Sequence, residues 1–75
     1  MSVKATKPCV LQVNNSGAWK NVVRFDAADT DQVAKVEQGA ELLHAACPRI
    51  TFRMVIDDGS QTVLMHLSGG EWKKV

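Results

Sequence analysis

Tyrosine is absent from the 75-residue chain, and its aromatic set is two tryptophans and two phenylalanines. A sheet that binds single-stranded nucleic acid presents several rings for bases to stack on, so this shortage weighs against that use. Charge of one sign is also lacking. Nine Lys and Arg against eight Asp and Glu leave a net charge of +1, which excludes the crude electrostatics of a histone-like or polyanionic protein. No apolar run approaches the roughly 18 residues of a membrane span, and none of signal-peptide length follows the polar Met1 to Lys7. The expectation is a cytoplasmic protein without a membrane partner.

The two cysteines, Cys9 and Cys47, lie too far apart in the chain for a CxxC redox pair or a zinc knuckle. The reading adopted is two reduced thiols packed as small hydrophobes, with a disulfide or a reactive thiol as the alternative. No phosphate-cradling glycine loop and no GxSxG occurs.

What the chain does have is apolar weight for one small domain. Val, Leu, Ile and Phe number 19 of 75, above the roughly 20% below which chains tend to stay disordered. Residues 1–7 are expected to form a disordered tail, and 8–75 a single domain. Pro8 opens a short strand over Cys9–Val13, read as an edge because proline lacks an N–H. Asn14 to Gly17 supplies a turn, and Ala18 to Phe25 returns as a second strand. Asp29 with Gln32 three residues later resembles a capping box, with Asp26 and Thr30 as rival caps. Val33, Val36, Ala40, Leu43 and Cys47 then make one helical stripe that Pro48 ends. Gly39 inside it costs about 1 kcal/mol and suggests a close-packed neighbour.

Ile50, Phe52, Met54 and Ile56 alternate with Thr51, Arg53 and Val55 as a third strand. Asp57 to Ser60 turns the chain into a fourth at Thr62–Leu67. Ser68-Gly69-Gly70 turns it again into a short edge strand at Glu71–Val75. The order ββαβββ gives an α+β fold: two layers, a mainly antiparallel five-stranded sheet with one amphipathic helix on one face.

Period-two alternation assigns Leu11, Val13, Trp19, Val23, Phe25, Ile50, Phe52, Met54, Ile56, Val63, Met65, Leu67 and Trp72 to the helix side, to meet Val33, Val36, Ala40 and Leu43. The uncovered face then carries four cations, Lys20, Arg24, Arg53 and Lys73, against Glu71 alone. The segment Asp26–Glu41 holds five acids and one lysine, so the molecule is polarised. Apolar residues among exposed cations mark an interaction surface. Candidate partner-binding residues are Lys20, Val22, Arg24, Arg53, Val55, Leu64, His66 and Lys73. The expected partner is a protein or a second copy, with nucleic acid as the alternative. An outward Trp19 or Trp72 would favour that alternative.

His44 sits near the helix C-terminus, where a cation is favourable. His44 with Cys47 offers two metal ligands at i, i+3, and no third completes them. Nor does an orienting group complete a Cys–His nucleophile. Asp57 and Asp58 fit a turn. Asp26, Asp29 and Asp31 lack a calcium-loop pattern. No metal, cofactor, small-molecule substrate or enzymatic activity is expected. The stretches GAWKNVVRFD (Gly17 to Asp26) and PRITFRMVIDDG (Pro48 to Gly59), joined by one capped helix, resemble small proteobacterial or phage-encoded ββαβββ proteins of unknown function. The resemblance is one of hydrophobicity and turns, and it implies no role for any residue.

Overall fold

A computed structural model describes residues 7–60 and 62–75. The strands are β1 (Pro8–Asn14), β2 (Trp19–Asp26), β3 (Thr51–Ile56), β4 (Val63–Ser68) and β5 (Glu71–Lys74), and the helix α1 (Thr30–Ala46) lies between β2 and β3. All pairings are antiparallel, in the order β2-β1-β3-β4-β5. This is the expected α+β fold. β1 is paired on both sides, so the edge reading of Pro8 does not hold. Proline is tolerated because it opens the strand, and its carbonyl accepts from Asp57 N–H at 2.9 Å. Of the expected tail, only Lys7 is among the described residues. Its N–H donates to Asp26 Oδ1 at 2.8 Å, and its carbonyl accepts from Ala27 N–H.

Helix α1 is capped by Asp29, whose side chain accepts from the N–H groups of Asp31 and Gln32. Gln32 returns the contact, donating to Asp29 Oδ2, while its Oε1 accepts from Asp26 N–H. The capping residues thereby tie the helix start to the end of β2, satisfying donors that a helix leaves open. At the last hairpin, Gly69 and Gly70 form a two-residue loop with φ of +60° and +85°, as a type I′ turn requires.

The core gathers Cys9, Leu11, Phe25, Ala40, Phe52, Met54 and Leu67, with Val13, Val33, Val36, Ile50, Met65 and Trp72 packed around it. Phe52 is 2% exposed, which confirms the alternation read in β3. Trp72 is anchored by its Nε1–H, which donates to the Glu37 carbonyl at 3.3 Å. Val23, on the helix side opposite Leu11, stays 45% exposed because β2 is an edge. Leu43 does not join the core and is 52% exposed. The inner stripe steps by four from Ala40 to His44, whose Nδ1 lies 2.8 Å from the Ile50 carbonyl. Cys47 is exposed, against the expectation that both thiols are packed, and Cys9 is buried.

Two register breaks reassign four side chains. β1 and β2 pair Leu11 with Val23 and Gln12 with Asn21, leaving Val22 as an extra residue. β3 and β4 pair Met54 with Met65 and Val55 with Val63, leaving Leu64 as another. One inserted residue exchanges the faces of everything beyond it. Trp19, expected under the helix, therefore lies on the reverse face, and Lys20 pairs with Val13 on the helix side. Likewise Val63 joins Val55 on the reverse face, and Leu64 packs against the core.

The Gly39 expectation also fails. Gly39 is exposed, and a Cβ built there meets nothing within 4 Å. Gly39→Ala should stabilise the protein by about 0.5–1 kcal/mol through helix propensity. Chemical denaturation measures this, and a loss of stability would show a contact that the structure lacks.

Candidate functional site

The reverse face is built of cross-strand rows. One row runs Asn21, Gln12, Arg53, His66, Lys73 across all five strands. Gln12 is 5% exposed and satisfied on both sides. It donates to Asn21 Oδ1 at 2.9 Å and accepts from Arg53 Nε–H at 2.8 Å. This burial is tolerable only because both ends of the amide are paired. The Arg53 guanidinium also stacks on Trp19, 4.2 Å from the ring centroid, a contact worth about 0.5–1 kcal/mol where partly exposed.

The neighbouring row runs Arg24, Val10, Val55, Val63. Val10 and Val55 are 3% and 0% exposed, so the apolar residues expected among the cations, Val22, Val55 and Leu64, form no exposed patch. Arg24 on β2 reaches Asp57, beyond β3, at 2.9 Å. That ion pair must cross β1 beside Val10. Exposed as it is, it contributes at most about 1 kcal/mol.

The eight candidate residues separate accordingly. Arg53, His66 and Lys73 stand together in one row, with His66 and Lys73 exposed. Arg24 is bound to Asp57, Val22 is exposed at the β2 bulge, and Val55 is interior. Lys20 and Leu64 have left the face. The sequence reading missed Trp19 and Val63 as members of it. The apolar doublet Val22-Val23 and the triplet Val63-Leu64-Met65 interrupt strict alternation, and they were the available signal.

Among the described residues, neither His66 nor Lys73 has a side-chain hydrogen bond or ion pair. Pairing between β3 and β4 ends at Arg53 and His66. The surface around this pair is concave, with a cavity of about 690 Å³ lined by Trp19, Arg53, Val63, His66 and Val75 on this face, and by His44 and Pro48 at the sheet end. A smaller hollow of about 400 Å³ lies between α1 and β5. Burial, helped by the neighbouring Glu41 charge, pushes the Glu37 carboxyl there above its ordinary value. No cluster of three metal-ligating side chains occurs among the described residues, nor does a helix long and apolar enough to cross a membrane. Comparison with protein families, curated proteins and solved structures returns no match.

The thiols give a direct check on the placement. Burial pushes the Cys9 thiol above its ordinary value, and the side chain is 0% exposed, whereas Cys47 is open to reagent. A thiolate-trapping disulfide reagent should titrate one thiol in the native protein and two in denaturant. Two fast equivalents in the native state would contradict the core.

Proposed function

We propose that this chain is a non-enzymatic protein-interaction module that docks an acidic protein surface on the Arg53, His66 and Lys73 edge of its reverse face. The observation that carries the reading is a row of cationic and imidazole side chains with no carboxylate partner among the described residues, set beside a stacked Trp–Arg pair. Trp and Arg are the residue types that concentrate binding energy at protein interfaces. A second copy is an eligible partner, because the segment Asp26–Glu41 of the same chain carries five acids against one lysine. Charge complementarity of this kind steers encounter and sets register.

A nucleic-acid strand is the second reading, favoured by the outward Trp19. It is the weaker one. Arg53 covers one side of the Trp19 ring, Phe25 and Phe52 lie in the core, and Trp72 packs against it. One half-covered ring is a poor stacking platform.

The test compares the wild type with Arg53→Glu/Lys73→Glu. Light scattering over a concentration series reads self-association, and capture from native lysate reads other partners. The reading expects a species held by the wild type, weakened by salt and lost in the charge-reversed protein. Identical behaviour of the two proteins removes it. NMR titration with a short single strand at two salt concentrations decides the alternative. Steeply salt-dependent shifts at His66 and Lys73 would favour nucleic acid.

A further inference from the structure

The cavity at the parted end of β3 and β4 has features that a flat docking surface does not need. Its volume of about 690 Å³ lies within the range of roughly 300–1,000 Å³ that encloses a small organic ligand. Phe52 and Leu67 line it while remaining 2% exposed, so they form a floor whose side chains belong to the core. The walls are apolar at the Trp19, Val63 and Val75 side chains, and among the described residues no Asp or Glu lines the cavity. Arg53 and His66 stand side by side on adjacent strands within it.

Arg53 is held in place for this. Its Nε–H is committed to Gln12 and its plane to Trp19. Its two terminal nitrogens carry no protein hydrogen bond among the described residues. A guanidinium fixed by its inner nitrogen presents an outer fork to a planar anion. At the far end, His44 is oriented by the Ile50 carbonyl. A carbonyl only accepts, so Nδ1 carries the proton, and Nε2 remains for a ligand.

We propose that this cavity binds a small aromatic carboxylate, its ring against Val63 and Val75 and its anionic group on Arg53 and His66. The inference does not rest on the protein-partner reading. Failure of one leaves the other standing, because the two are read by different ligands.

The test is an NMR titration with naphthoate, with naphthalenemethanol as the neutral control of the same ring. Naphthoate should shift the Trp19 indole and the amides of Thr51, Arg53, His66 and Gly69. It should bind about tenfold more tightly than the alcohol, the factor expected of hydrogen bonds to a charged group. Arg53→Met should lose about tenfold for naphthoate and little for the alcohol. Because Arg53 also holds Gln12, His66→Gln serves as a second variant at an exposed position, with a few-fold loss expected. Equal affinity for acid and alcohol, shifts centred elsewhere such as at Leu42 and Leu43, or no shift at millimolar ligand would each overturn the proposal.

Discussion

Side chains of a strand alternate with period two, and a single extra residue on one strand reverses that alternation for all that follows. Val22 and Leu64 are such residues. Everything distinctive about the reverse face depends on them. Without the first, Trp19 would lie under α1 and Arg53 would have no ring to stack on. Without the second, Leu64 would sit in solvent, and Val63 would not line the cavity. Bulges also strengthen the local twist and bend the bulged strand. The first lies on β2, an outer strand, where it interrupts the template that an exposed edge offers to another chain.

Among the described residues, no second layer covers the reverse face. Gln12 is the centre, an interior amide with a partner on each side, fixing β1 between β2 and β3. A satisfied polar row of this kind specifies register, because a slip by one residue would bury its groups unpaired. The Arg24–Asp57 pair crosses the same strand one row away. The paired side chains lie toward β2, and His66 and Lys73, which have no side-chain partner among the described residues, lie toward β5. One half of the face is therefore occupied by its own side chains, and the other half is available.

Much of the fold was legible in the chain. The Asp29 cap, the three turns and the β3 alternation each rest on local chemistry within a few residues, and each appears where its residues place it. The helix stripe was legible as far as Ala40. Past that, spacings of three and four both satisfy a helix, and only packing chose His44 over Leu43. The bulges were harder to read. Their only trace is two or three apolar residues in succession, a pattern that strand cores also show. Trp19, Lys20, Val63 and Leu64 thus lie on the face opposite to the one strict alternation gives, and of the eight candidate residues Arg53, His66 and Lys73 share one cross-strand row. The burial of Val10 and Val55 was equally hidden, because their neighbours on adjacent strands come from distant parts of the chain.

The architecture of the reverse face depends on Trp19 lying against Arg53, opposite α1. Nuclear Overhauser spectroscopy of the isotope-labelled protein addresses that placement directly. The expected result is cross-peaks between the Trp19 ring protons and the Arg53 methylenes, which the ring current would shift upfield. Cross-peaks from Trp19 to the Val36 and Ala40 methyls instead would place the ring in the core, removing the first bulge and the cavity wall with it.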